Sequence, residues 1–293
     1  MNSIHGEGNY ELKDRANKIL SSVSNLPSIP YVIFEVTKII DNPSASAAQL
    51  AKIINKDQGL VTKVLSVANS PLYGIPRRVS TIDFAIVILG FNHIKNIVIA
   101  LSMMDAIKPS SSKNFNQKQY WVHSLLVATA SKRIADDLGY PNSGEVFTAG
   151  LLHDLGVPVI NKYFPKEYEN IVAMVCNSSI SYYQAEKEVL GISHDEIGKA
   201  LMEKWNLPQN LSEVVENHHT VLSSEKHKVN CAIVHLADYM TQKFCIGEFF
   251  WDEGLELDES VIKILNLGDL NYLDNFMVNY LSLFEEQFTN FKF

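Results

Sequence analysis

The sequence predicts an all-α fold, and three observations carry that expectation. Apolar residues recur every three to four positions, while the strict alternation of a half-buried strand is nearly absent. Helix-opening residues (Ser46, Asp57, Thr81) and helix-stopping ones (Asn69-Ser70-Pro71, Gly90) punctuate that periodicity. Apolar residues make up 46% of the 293 and are spread along the whole chain, enough for a sizeable core. The length admits one large domain or two smaller ones.

The elements follow in order. Residues 1–20 form a polar lead-in that runs into a helix by residue 25. Leu26-Pro27-Ser28-Ile29-Pro30 is a double-proline break. Val32, Val36, Ile39 and Ile40 then sit at helical spacing, and Asn42-Pro43 ends that element. Ser46 and Gln49 have the spacing of a capping box before Leu50, Ile53 and Ile54. Asp57 can cap the next helix, which carries Leu60, Val61, Val64, Leu65 and Ala68 and stops at Asn69-Ser70-Pro71. There, asparagine and serine side chains can satisfy exposed backbone groups while proline prevents continuation. Thr81 can cap a helix through Leu89, with Gly90 suited to its C-terminal end. Ile94, Ile97, Val98 and Leu101 continue the pattern. Lys108 to Asn116 reads as the clearest linker. It separates a helical lobe (21–110) from a histidine-bearing lobe (115–245), and residues 246–293 form a helical cover with Phe284, Phe288 and Phe291 at its end.

The charge balance narrows the function. Net charge is −8, which disfavours wide contact with phosphate backbones. Arg77-Arg78 and Lys132-Arg133 are the adjacent basic pairs, and Lys226 and Lys228 flank His227 in a predicted loop. Ala51 to Asn69 imitates a helix-turn-helix, yet the second helix offers only Lys63 as a basic residue, so DNA binding is the disfavoured reading of that pair. Cys176, Cys231 and Cys245 form no C-x-x-C pair and are odd in number, which points to reduced thiols in a cytoplasmic protein. No secretory signal is expected from the polar start. The longest apolar stretch, Phe84 to Met104, is broken by Gly90, Asn92, His93, Lys95 and Asn96, so no membrane span is expected.

Chemistry concentrates in one ordered series: His123, then His153-Asp154, then His194, then His218-His219, then Asp238. Imidazoles and carboxylates together suit Fe, Mn, Zn or Ni better than Ca or Mg. A carboxylate can bridge two metals, and two metals about 3.5–4 Å apart can activate a water and steady a phosphate. Each member also has a plainer reading. A lone helical histidine such as His93 or His235 is usually structural, and a His-His pair at a helix end can complement the helix dipole. Adjacent residues on a helix point about 100° apart, so His153-Asp154 alone says little. The ordered series is what singles them out.

That order resembles the HD phosphohydrolase superfamily. Gly150-Leu151-Leu152-His153-Asp154-Leu155-Gly156 is similar to its His-Asp helix. Gly191-Ile192-Ser193-His194-Asp195-Glu196-Ile197-Gly198, with Trp205-Asn206-Leu207-Pro208 after it, is similar to a segment shared by the HD-GYP and HDOD branches. Leu65-Ser66-Val67-Ala68-Asn69-Ser70-Pro71-Leu72-Tyr73-Gly74, followed by Ser80-Thr81-Ile82 and Ala85-Ile86-Val87-Ile88-Leu89-Gly90, resembles the HDOD signature. The resemblance covers roughly residues 20–240 and implies an HDOD helical lobe packed on an HD-like bundle, with a role in bacterial signal transduction. It further implies that His123, His153, Asp154 and Asp238 hold one divalent metal, and that Asp154 bridges to a second held by His194, His218 and His219. Fe or Mn is expected there, with Zn or Ni as alternatives.

The sequence departs from the HD-GYP pattern at three places. Val157 stands where a lysine is expected, Thr220-Val221-Leu222-Ser223-Ser224 stands where a Gly-Tyr-Pro loop would follow, and Gln119 replaces a glutamate used in some three-metal sites. A charged donor of the lysine kind is worth about 10²–10³ in rate. Two functions follow. One is a signalling module that binds metal without efficient turnover, acting with other signalling proteins in trans and with a phosphorylated small ligand. The alternative is a metal-dependent phosphohydrolase acting on a nucleotide or phosphodiester.

Overall fold

The structure, a computed structural model, describes residues 14–22, 30–40, 46–107, 114–247, 249–251 and 254–290. Among these the regular structure is α-helix with two short 3-10 turns and no strand. The chain opens with α1 (residues 14–22), α2 (Tyr31–Ile40), α3 (Ala47–Ile54), α4 (Gln58–Ala68), α5 (Ile82–Leu89) and α6 (Phe91–Ala106). The expected breaks at 26–29 and at Asn42-Pro43, residues 108–113 of the linker, and Phe291 lie outside the described residues.

Local chemistry sets the helix ends. The Ser46 hydroxyl accepts from the Gln49 N–H while the Gln49 side chain accepts from the Ser46 N–H, a reciprocal cap. Asp57 accepts from the Leu60 N–H and Thr81 from the Phe84 N–H. Gly90, at φ +88°, turns the chain between α5 and α6 in a conformation costly for residues with a Cβ. It thereby splits the apolar stretch into helices of 8 and 16 residues. No helix among the described residues is long and apolar enough to cross a membrane. Asn69 donates to the Leu65 and Val79 carbonyls (2.7 and 2.8 Å) and accepts from the Val79 N–H at 2.8 Å. One side chain thus closes α4 and holds the returning loop.

The α3–α4 pair turns its apolar faces inward. Leu50, Ala51 and Ile54 on α3, and Leu60, Val64, Val67 and Ala68 on α4, are buried. Lys63 pairs with Asp105 and lies 4.4 Å from the Trp121 ring centroid, so the one basic residue of α4 is engaged within the protein.

The second bundle comprises α7 (Gln117–Asp137), α8 (Ser143–Leu152), α9 (Gly156–Tyr163), α10 (Pro165–Asn177), α11 (Tyr182–Leu190), α12 (His194–Lys204), α13 (Gln209–Asn217) and α14 (Lys228–Lys243). Its spine is α7 packed along α8, with α14 against α7 and α12 against α13 and α9. Helix α6 packs on α8 and joins the two bundles. Helices α15 (Ser260–Ile264) and α16 (Leu270–Asn290) follow, and α16 returns against α7. Phe284 is buried beside Phe244, whereas Phe288 is 40% exposed, so the aromatic end of α16 only partly faces inward.

His93 is structural. Its Nε2 lies 2.6 Å from the Tyr73 hydroxyl and its ring meets Phe147 edge-on at 5.0 Å. Burial, aided by Lys132 and opposed by Asp136, pushes its pKa down to about 4. A histidine lowered in the folded state binds its proton more readily when unfolded, so folding stability falls as pH drops from about 6.5 toward 4. The expected contribution is about 3 kcal/mol by pH 4. Urea unfolding at stepped pH should therefore show a shallower loss for His93→Gln than for the parent across that window. Equal slopes would refute the assignment.

Candidate metal centre

All seven predicted residues converge at the middle of the second bundle. They form two groups whose nitrogen and oxygen atoms lie within 4.8 Å of one another: His123, His153 and Asp238, and Asp154, His194, His218 and His219. Five elements supply them. His123 projects from α7 and Asp238 from α14. His153 caps the end of α8 and Asp154 follows in the turn of residues 153–155 before α9. His194 opens α12, His218 caps α13 and His219 is next.

His153-Asp154 lies at the end of α8 and in the short turn before α9, with helical backbone angles at His153, and His153 Nε2 and Asp154 Oδ2 meet at 3.3 Å. The helix that follows starts in close packing. A Cβ built on Gly156 would lie 2.0 Å from the His194 carbonyl oxygen, so α9 can only start against α12 if that residue is glycine.

Asp154 faces both groups. Its Oδ2 lies 3.3 Å from His153 Nε2 and 3.6 Å from His123 Nε2, while Oδ1 lies 3.3 Å from His194 Nε2 and 3.9 Å from His218 Nε2. Asp238 Oδ1 lies 3.3 Å from His123 Nε2 and 3.8 Å from His153 Nε2. Nitrogen also faces nitrogen: His123 and His153 at 3.2 Å, His194 and His219 at 3.0 Å, His194 and His218 at 3.5 Å. Donors about 2.1 Å from one tetrahedral ion stand about 3.4 Å apart, so these separations suit a shared cation.

The outward-facing nitrogens fix the ring states. His153 Nδ1 donates to the Gly150 carbonyl at 2.8 Å and His218 Nδ1 to the Val215 carbonyl at 2.6 Å. A neutral ring that spends its proton on Nδ1 presents a bare lone pair at Nε2, the form a metal requires. His194 Nδ1 meets the buried Glu186 carboxylate at 2.9 Å, and His123 Nδ1 lies 3.4 Å from the Thr241 hydroxyl. Neither carboxylate oxygen of Asp154 or of Asp238 has a hydrogen-bond donor in good geometry, although both residues are fully buried. Buried carboxylates without donors, ringed by nitrogen lone pairs, are the surroundings of a cation site. The seven residues therefore fit one or two divalent ions.

Electrostatics points the same way. Burial drives His218 down to about 3 and His219 well below the ordinary histidine range. Burial alone would lower His194 and raise Asp154. Instead Glu186 and then Asp154 hold the His194 ring well above its usual value, and His153, His194 and His123 hold Asp154 well below the carboxylate range.

Three neighbours were not legible in the sequence. Glu186 on α11 reaches His194 across the Gly191 turn. The Trp251 indole N–H donates to Glu186 at 2.6 Å, and Phe249 lies 5.1 Å from the His123 ring. No spacing rule connects these residues to the ligands, since packing alone unites them. His235, by contrast, is a brace. Its Nδ1 donates to the His218 carbonyl and its Nε2 accepts from the Asp258 N–H. A cavity of about 520 Å³ opens on His219, with Tyr183, Gln184, Ser179, Trp251 and Glu256 among its walls. Val157 is fully buried in α9.

Comparison with known proteins places this architecture. The HDOD domain family matches residues 26–221, two thirds of the 293-residue chain. The chain belongs to the HDOD family. A crystal structure of an HDOD domain protein of unknown function from Geobacter sulfurreducens is similar to it, with 27% identity and a TM-score of 0.76 over 94% of this chain and 96% of that one. A structure from Shewanella amazonensis SB2B, described as a candidate phosphohydrolase, shares the fold, with 24% identity and a TM-score of 0.71 over 94% and 98% of the two chains. An uncharacterised protein of Treponema pallidum (strain Nichols) is 25% identical over 246 residues, 82% of this chain and 47% of its own length. The chain thus spans about half the length of the curated relative it matches.

Gly156→Ala tests the packing that builds the centre. Its Cβ meets backbone rather than a flexible side chain, so the expected loss is at the upper end of the roughly 1–3 kcal/mol typical of overpacking, or beyond it. Denaturant unfolding reads it directly, and a change below about 0.5 kcal/mol would show that α9 and α12 do not approach as described.

Proposed function

We propose that the protein is a bacterial, cytoplasmic signal-transduction module whose HD-like lobe holds a two-metal centre without efficient turnover. One observation carries the reading: Asp154 turns one carboxylate oxygen to His123 and His153 and the other to His194 and His218. In this reading His123, His153, Asp154 and Asp238 hold one ion, and Asp154, His194, His218 and His219 hold the other. Fe or Mn suits the mixed nitrogen and oxygen donors, with Zn or Ni as alternatives. When bound, such ions supply Lewis acidity toward a phosphate or water. The chain's own groups bind and orient. Nδ1 contacts hold the imidazoles in their ligating form, and the cavity beside His219 admits a phosphorylated small ligand. Other signalling proteins act with it in trans. The three free cysteines fit a reducing compartment.

Weak turnover is expected because Val157, buried and apolar, occupies the sequence position at which the HD-GYP resemblance expects a charged donor. The cavity keeps the second reading in play, a metal-dependent phosphohydrolase acting on a nucleotide or phosphodiester, since a ligand in it would reach His219 and the adjoining centre.

Elemental analysis of protein purified without a metal-affinity tag should find one or two equivalents of a transition metal. Metal-free protein from both aerobic and anaerobic preparations would sink the centre. Asp154→Ala should lose both equivalents, and His123→Ala chiefly one; equal losses would argue against a bridge. Against a panel of nucleotides and phosphodiesters with added Mn, turnover should be negligible. Metal-dependent hydrolysis abolished by Asp154→Ala would replace the first reading with the second.

A further inference from the structure

Glu186 is a fully buried carboxylate on α11 with three contacts. Its oxygens lie 2.9 and 3.0 Å from His194 Nδ1, it accepts the His194 backbone N–H at 2.7 Å, and it accepts the Trp251 indole N–H at 2.6 Å. Trp251 is itself fixed. It is buried, stacked on Tyr168 at 4.8 Å and 15°, and tilted against Tyr182 at 4.5 Å. Two residues earlier, Phe249 lies against the ring of His123, in the other ligand group. The segment after α14 therefore touches both halves of the centre, and Trp251 also walls the cavity that opens on His219.

We infer that Glu186, held by Trp251, is a positioning residue for the His194 half of the centre. The inference rests on the two-metal reading above and adds a division of labour within it. His153 and His218 give their Nδ1 protons to backbone carbonyls, which are neutral and cannot move far. His194 alone among the three gives its Nδ1 side to a carboxylate. A carboxylate makes the imidazole a stronger donor at Nε2 and fixes the ring plane, and loss of such a partner typically weakens metal affinity by about 10–100-fold. Glu186 also grips the first backbone N–H of α12, so the same group fixes both the ring of His194 and the position of its helix. The indole N–H bonds Oε1, the carboxylate oxygen that does not accept the His194 backbone N–H, and so holds the carboxylate from a second side. The consequence is site-selective: the ion at His194, His218 and His219 depends on Glu186, and the ion at His123, His153 and Asp238 does not.

Co²⁺ titration of the metal-free full chain, in competition with a chelating indicator, reads both equivalents. The parent should take up two. Glu186→Gln should keep the first within about twofold and weaken the second by about 10–100-fold. Trp251→Phe, which keeps a ring in the aromatic stack while losing the N–H and part of the indole's area, should shift the same equivalent in the same direction. Melting temperature separates positioning from folding. The rise in Tm on adding Co²⁺ should shrink in both variants, whereas a purely structural role would lower the metal-free Tm and leave that rise intact. If Glu186→Gln does not fold, Trp251→Phe carries the test alone. A parent that binds two ions, with variants that bind both as tightly, overturns the inference while sparing the two-metal reading. A parent that binds no Co²⁺ overturns both.

Discussion

Two carboxylates without donors in good geometry, Asp154 and Asp238, sit fully buried among five imidazoles whose nitrogens approach to 3.0–3.5 Å, and much of the second bundle is arranged around that repulsion. Isolated buried carboxylates cost several kcal/mol each, and lone pairs aimed at lone pairs repel. Positive charge within the cluster would offset that cost. A hydrophobic core would fold the same helices with less strain. The polar cluster thus carries a cost to folding, which is expected at functional or strained sites more than in an apolar core.

The scaffold meets that cost with rigid neighbours. Backbone carbonyls of Gly150 and Val215, each three residues before the histidine it orients, come at the ends of α8 and α13, where helix carbonyls have no intrahelical partner. Helix ends thus provide both ligands and the acceptors that orient them. Gly156 lets α9 begin in contact with the His194 carbonyl, which brings Asp154 and His194 together. Helix α6, packed on α8, ties the first helical lobe to the element that delivers His153.

Much of this was legible in the chain. Helical period and capping chemistry are local, so Ser46, Asp57, Thr81 and Gly90 announced their helix ends from short-range hydrogen bonding and steric rules. The ligand series was legible for another reason. Histidine and aspartate in that order carry chemistry that an apolar pattern does not explain, and motif context tied them together. Harder to see were Glu186, Phe249 and Trp251, an ordinary acidic residue on an amphipathic helix and two aromatics in an irregular segment.

The sequence by itself determined the helical class, the helix ends, the family and the identity of the candidate ligands, because each depends on residue chemistry and near-neighbour spacing. Only the tertiary structure decided how those ligands divide into two groups, that Asp154 faces both, and that Glu186 and Trp251 back one of them. These are facts of direction between helices far apart in the chain. No local rule fixes such directions, and the packing of one helix end against another does.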